Sequence, residues 1–564
     1  MVKSKVKKFV PIATLLWILL IVLFQHAGAQ SNKYSVKGWQ LMDWKKDSVF
    51  GTSINKAYSE LLKGKKGKQV IVAVIDGGVD TAHEDLRGHI WTNTKEIPGN
   101  GIDDDHNGYV DDIHGWNFLG GKDGRNIEAE SYEAQREYTR LQPIYGNIKD
   151  STEVTTDKKE EYKYWLALRK KYVTDSARFV EELAFASGLA DKCNKIDSTL
   201  KKALSKDTLW VREVADFNPT DSFVQTSKTA FLAMYKNYNL GSDMAFSKFV
   251  DEVENYKKET KAKLDGLTID PNARRHDIVG DNPDDINDRN YGNNNIAAGT
   301  PSHGTHVSGI IAATRNNGIG MDGIADNVLI MAVRAVPDGD ERDKDVALAI
   351  RYAVDNGARV INMSFGKPFS PGKKWVDDAV RYAAKKDVLL VHAAGNESEN
   401  IDVEHNYPNP DYDDTHMKAD NFITVGASRG GPDSLLAAGF SNYGKKEVDL
   451  FAPGVNVYSS VPGNRYEAYS GTSMASPVVA GIAALIMEYY PKLSARQVKY
   501  VLENSVLKLS GYQVRIPGSK MKADFAVLSK SEGIVNAYSA LKLAATLKGE
   551  RKIQKSSTVK SRLE

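Results

Sequence analysis

Short runs of valine and isoleucine recur along this chain in a pattern that calls for a parallel sheet. The first is "QVIVAVID" at 69–76. It is followed by "VLIMAVRAV" at 328–336, "ARVINMSFG" at 358–366, "VLLVHAAGN" at 388–396 and "FITVGAS" at 422–428. Runs this short, apolar on consecutive positions, fit strands buried on both faces. Helical patterns such as "DVALAIRYAVDNG" and "WVDDAVRYAAKK" lie between several of them. Strand alternating with helix predicts an α/β fold with a mainly parallel central sheet. Sites in such sheets gather at the carboxyl ends of the strands.

Between 120 and 275 the rhythm breaks. The segment is rich in Lys and Glu, and "YKYWLALRKKYV", "SARFVEELAFASGL" and "MAFSKFVDEVENYKKETKAKL" read as helices. The last puts Phe246, Phe249, Val250, Val253 and Tyr256 on one helical face. A helical insertion inside the α/β domain is expected, with 30–119 and 276–547 as the two parts of that domain. Cys193 is the only cysteine, so no intrachain disulfide can form. It reads as a free thiol in a helical segment.

Residues 1–29 have the build of a secretory signal. A basic "KSKVKK" precedes an apolar "FVPIATLLWILLIVLF", and "AGA" before Gln30 supplies small residues for cleavage. The mature chain is expected to begin near Ala29/Gln30, in the periplasm or outside the cell, with no stable membrane anchor after cleavage. The tail 548–564 lacks apolar periodicity and is expected to be disordered. Net charge is +2, from 75 basic and 73 acidic residues mixed along the chain. That balance gives no reason to expect nucleic acid as a partner.

Three segments carry the chemistry. Asp76 ends "VIVAVID", His303 opens "HGTHVSGIIAA", and Ser473 lies in "SGTSMASP" at the mouth of an apolar helical run. A serine hydroxyl is a weak nucleophile until a base takes its proton. The base is usually a histidine that a carboxylate holds in one tautomer. A helix N-terminus beside Ser473 offers free N–H groups to a developing oxyanion. Gly471 is expected to permit the turn that aims the hydroxyl outward. Pro477 is expected to fall in the first helical turn, where its N–H is not needed.

"VIDGGVD", "HGTHVSG" and "GTSMASP", in that order, resemble the motifs of the subtilisin-like serine proteases, or subtilases. The resemblance covers about 50–120 and 276–547. It implies a three-layer subtilisin-like fold and a secreted serine endopeptidase acting on protein or peptide substrates through an acyl-enzyme. The catalytic residues it implies are Asp76, His303 and Ser473, with Asn396 of "VHAAGNES" as oxyanion donor. The alternative is a catalytically weak member that binds peptide or protein partners. Subtilases usually carry Ser or Thr after the aspartate; Gly77 stands there and is expected to cost a hydrogen bond. "NMSFG" resembles the segment that pairs with an extended substrate, implying Ser364, Phe365 and Gly366 as substrate-binding residues. Glu397 is a candidate for the rim of the primary pocket.

Two places invite Ca²⁺. By resemblance, Asp85, nine residues after Asp76, and Asn317 in "NNGIGMDGIA" share one ion. Separately, "NGIDDDHNGYVDD" puts Asp103, Asp105 and Asn107 before Gly108, as in the start of a calcium loop. His114 stands where the closing glutamate would be, so Asp111 or Asp112 is expected to substitute. The competing readings are a loop closed by hydrogen bonds at the first place and a solvated acidic turn at the second.

Overall fold

The computed structural model describes residues 36–551, apart from Asn239, Ser242, Asp243, Thr268, Ile269 and His416. The signal segment and the tail from 552 therefore lie outside the described residues. The chain divides into two compact units, one built from 134–271 and the other from the segments on either side. The insertion is thus shorter than 120–275. Its flanks at 120–133 and 272–275 belong to the α/β unit.

In the α/β unit the strands in chain order are β1 (Val70–Asp76), β2 (Gly115–Asn117), β3 (Val328–Arg334), β4 (Val360–Met363), β5 (Leu389–Ala393), β6 (Phe422–Ser428) and β7 (Leu450–Pro453). A hairpin of β8 (Val457–Val461) and β9 (Arg465–Tyr469) follows, then β10 (Leu507–Lys508) and β11 (Gly533–Ile534). Among the described residues nine strands make the central sheet, in the order β10-β11-β7-β6-β5-β4-β1-β3-β2. Every pairing in it is parallel except β10 with β11.

Helices cover both faces, among them α1 (Ser302–Ala312), α2 (Asp343–Asp355), α3 (Lys373–Lys385) and α4 (Thr472–Tyr489). The pleat of β1 sorts its side chains between them. Val70, Val72 and Val74 pack with Val307 and Ile310 of α1 and with Val478 and Ile482 of α4. Ala73 and Ile75 face Val346 and Ile350 of α2 and Val376 and Val380 of α3. This is the three-layer α/β arrangement expected from the resemblance. Helix α4 is apolar and long enough to cross a membrane, but its surface is buried in the protein core.

The smaller unit holds helices at Lys159–Leu204, Ser222–Asn237 and Phe246–Gly266 around its own core. Phe246, Phe249, Val250, Val253 and Tyr256 all lie in that core. So does Cys193, whose thiol is pushed up to about 12 by burial. A thiol so far from its thiolate is inert.

Candidate active site

Strands β5, β4 and β1 are neighbours. Their carboxyl ends bring Asn396, Ser364 and Asp76 to one edge of the sheet. Helices α1 and α4 share one face of the sheet and start at that same edge, with His303 and Ser473 each as the second helical residue.

The Asp76 carboxylate lies 2.8 and 3.0 Å from His303 Nδ1 and accepts the Gly77 N–H at 2.8 Å. An ionised carboxylate only accepts, so Nδ1 carries the proton and Nε2 keeps its lone pair. Burial would pull the His303 pKa down, but the charge and hydrogen bond of Asp76 outweigh it, and the pKa is raised. Asp76 is nearly closed off at 4% exposure, while the imidazole is 41% exposed. The pair packs closely because residue 304 is glycine. A Cβ there would stand 2.2 Å from the Gly78 carbonyl and 3.1 Å from the Asp76 carboxylate. His306, one turn on, is buried, stacked on Tyr469 and pushed down to about 3, so it stays neutral.

Gly77 does not leave Asp76 unheld. Its own N–H supplies one bond, and its carbonyl accepts from Arg334 Nε at 3.0 Å.

Ser473 Oγ donates to the Ser364 carbonyl at 3.1 Å, and among the described residues it makes no hydrogen bond to His303. Two expectations about its helix need correcting. Gly471 has φ 164°, extended backbone open to any residue, so its lack of a Cβ is not what turns the chain. Pro477 is the sixth helical residue, past the first turn. It therefore frees the Ser473 carbonyl from its usual helical bond, and Ser364 Oγ donates to that carbonyl instead at 2.9 Å.

Helix α4 has no local side-chain cap. The cap comes from the end of another strand. Asn396 Oδ1 accepts the Thr472 N–H at 2.9 Å and the Thr472 hydroxyl at 3.0 Å. Spending Oδ1 this way turns Nδ2 outward. Neither Asn396 Nδ2 nor the Ser473 N–H has a partner among the described residues. Gly395 makes this corner possible with φ +102°; a Cβ there would stand 2.3 Å from the Asn442 amide.

The substrate-binding candidates sit around this corner. Ser364 is buried against Ser473, and Phe365 gives its carbonyl to His392 Nε2 at 2.7 Å. A Cβ on Gly366 would collide with the Asn406 amide at 2.4 Å. Glu397 is exposed, with one carboxylate oxygen held by Asn442 at 2.8 Å. Several supporting residues escaped the sequence reading. Ser476 donates to Asn362, and Asn362 donates to Ser364. His392, pushed down to about 4 by burial, fixes Phe365. Their one sequence signal is polarity inside otherwise apolar runs.

Asp85 and Asn317 are brought together: the Asn317 amide donates to Asp85 Oδ1 at 2.6 Å, and the Met321 N–H reaches Oδ2 at 3.3 Å. Asp85 is fully buried and pairs with no Lys or Arg among the described residues. Burial raises its pKa. In the acidic loop Asp103 and Asp105 converge, but with Glu96 rather than Asp111. Asp111 is turned onto the Gly99 and Gly101 N–H groups, which corrects its expected role. Asn107 donates to Asp112 and accepts from the Tyr109 N–H. Asp112 is itself buried under Tyr352 and pushed up to about 6 by desolvation.

The model of the subtilase family matches residues 67–527. A thermophilic serine proteinase of Bacillus sp. strain AK1 is 41% identical over 211 residues, which are 37% of this chain and 48% of that proteinase. Subtilisin DY of Bacillus licheniformis is 40% identical over 209 residues, 37% of this chain and 71% of that protein. Subtilisin E of Bacillus subtilis strain 168 is 38% identical over 210 residues, 37% of this chain and 51% of that protein. The matched stretch spans about half the length of the first and last of these relatives.

Proposed function

The chain belongs to the subtilase family, and from that premise we propose that it is a secreted or periplasmic serine endopeptidase. The observation that carries the reading is the division of hydrogen bonds at the sheet edge. Asp76 occupies His303 Nδ1, while His303 Nε2, the Ser473 N–H and Asn396 Nδ2 stay uncommitted among the described residues. Those three groups are what acyl transfer requires.

In this reading substrate draws Ser473 Oγ from the Ser364 carbonyl to His303 Nε2; catalytic hydrogen bonds often align only once substrate is bound. Oγ attacks the scissile carbonyl carbon as Nε2 takes its proton. The oxyanion receives the Ser473 N–H and Asn396 Nδ2 at the positive end of α4. The imidazolium, steadied by Asp76, then protonates the leaving amine, and the C–N bond breaks to leave an acyl-serine. Water, deprotonated by the same imidazole, releases the acid and restores the hydroxyl. The extended substrate pairs along Ser364–Gly366, with Glu397 at the rim of the primary pocket.

Structural Ca²⁺ is part of the proposal. Hard oxygen donors suit that ion. Asp85 and Asn317 would hold one ion, and Asp103, Asp105 and Asn107 with Glu96 another. The support is the buried Asp85 carboxylate without a Lys or Arg partner and the convergence of three carboxylates. Bound Ca²⁺ contributes positive charge to the loops and takes no part in the chemistry. Export is supported by the basic, apolar and small-residue succession of residues 1–29.

The test is hydrolysis of a denatured protein by the mature chain, with Ser473→Ala and Asn396→Ala beside it. The reading expects Ser473→Ala to abolish turnover. Asn396→Ala should cost about 10²–10³ in kcat with KM little moved, the range known for subtilisin losing such a donor. Folded protein with no turnover, or turnover surviving in Ser473→Ala, would leave a peptide-binding subtilase as the better description.

A further inference from the structure

The long helix of the smaller unit, Lys159–Leu204, carries apolar residues on two sides, and one side is left exposed. Trp165, Leu168, Phe179 and Ala186 are buried on the first side. On the second, Leu166, Val173 and Val180 are 41, 57 and 54% exposed. Single exposed apolar residues are ordinary. These recur at every seventh position, which returns a helical side chain to nearly the same direction. Ala177 and Ala184, both exposed, continue the line four residues after Val173 and Val180. From Leu166 to Ala184 the stripe covers about 27 Å of helix.

The charges beside the stripe are sorted by sign along the helix. Lys170 lies in its first half and Glu181 in its second. Each follows a stripe residue by four positions, so both stand on the same edge. Both are exposed, and neither charged group has an ion pair or hydrogen bond among the described residues. Neighbouring charges are spent within the helix: Lys171 and Arg178 on Asp175 at 3.2 and 3.0 Å, and Lys163 on Glu160 at 2.7 Å. Farther out on the same side, Lys159 and Asp191 are exposed and unpaired among the described residues too.

We infer that this stripe is a self-association surface, covered by the same helix of a second copy of the chain lying antiparallel across it. A two-fold axis level with Asp175 sets Leu166 opposite Ala184 of the second copy and Val173 opposite its Ala177. Large residues then meet small ones, which lets two helices approach closely. Lys170 comes beside Glu181 of the second copy, and by symmetry Glu181 comes beside its Lys170. Lys159 and Asp191 are matched by the same axis. A parallel pair would set Lys170 on Lys170 and Glu181 on Glu181, so the order of charges selects the antiparallel one. Such an interface uses the stripe once in each copy and closes at the dimer.

The experiment is sedimentation velocity on the mature chain from roughly 1 to 100 μM, the range in which a short interface is read. We expect the mass to rise from one protomer toward two. Val173→Glu puts a charge into the apolar line and should hold the protein at one protomer throughout. Lys170→Glu and Glu181→Lys should each weaken association about tenfold or more, because each sets like charges side by side. Mixed in equal amounts, these two variants should recover the parental affinity, since each supplies the sign the other lacks. A variant that merely misfolds is not rescued this way. One protomer at every concentration overturns the inference. So does a dimer indifferent to Val173→Glu, or a pair of charge variants that gains nothing on mixing.

Discussion

At the residue scale the account turns on how Asp76 conditions His303. The imidazole serves as base only when neutral, and its pKa is raised by Asp76. Activity should therefore climb with pH through a midpoint above the ordinary 6.5 of histidine. The stability linkage runs the other way. A raised histidine pKa contributes stability in full below about 6.5, and that contribution is lost as pH rises through the folded value. Asp76→Asn should cut kcat by about 10⁴ and shift the acid limb of the pH–rate profile downward. An unchanged limb would mean that Asp76 does not set the base. The residues of this pair were legible in the sequence because each ends or begins an element and each is the type that acyl transfer needs. Asn362, Ser476 and His392 were not. A polar residue inside an apolar run looks the same whether it orders a site or satisfies the core, until the hydrogen bonds are seen. Asp111 misled for a related reason: spacing shows which carboxylates are near in sequence, not which way a loop turns them.

At the element scale the long strands were readable because burial on both faces leaves unbroken apolar runs. Strand β6 spans Phe422–Ser428, the whole of the run that marked it. Strands β2 and β7 and the β8–β9 hairpin went unread, being short and closed by Asn, Pro or polar residues. The two helical patterns around 162–189 belong to one helix, Lys159–Leu204, since neither Gly nor Pro breaks the stretch before Gly188. Pro477 lies past the first turn of α4, where its effect is to hand the Ser473 carbonyl to Ser364. The other end of α4 yields a prediction. Glu488 is 1% exposed, and burial, then the nearby Asp326 charge, push its carboxyl up to about 9. A raised carboxyl pKa means stability present in full below about 4.5 and lost as pH rises through about 9. Glu488→Gln keeps the shape and removes the ionisation. Its Tm should exceed that of the parent by about 3 °C or more at pH 9, with little difference near pH 5. Equal melting at both pH values would contradict this.

At the scale of the whole molecule, composition and rhythm separated the α/β unit from the helical one, and the contacts redraw the border at 134–271. The boundary was misjudged because the polar loops at 120–133 pair with the α/β unit through backbone groups, such as Ile127 with Leu119, that leave no apolar signature. Calcium is a whole-molecule question, since the ion proposed at Asp85 and Asn317 would hold together loops from the two segments of the α/β unit. Chelation should lower Tm by roughly 5 °C or more, reversed by added Ca²⁺, as expected when a ligand binds only the folded state. Asp85→Ala should melt lower and lose most of that response. A Tm indifferent to chelator would show the Asp85–Asn317 contact to be a hydrogen-bonded loop and nothing more.

The account stands or falls on whether Ser473 is activated by His303. The most direct measurement is reaction of the folded, calcium-loaded protein with a fluorophosphonate, the adduct being located by mass spectrometry. The prediction is a single adduct on Ser473, absent in Ser473→Ala and formed about 10³-fold or more slowly in His303→Ala. No adduct on Ser473, or labelling at the same rate without the imidazole, would contradict it.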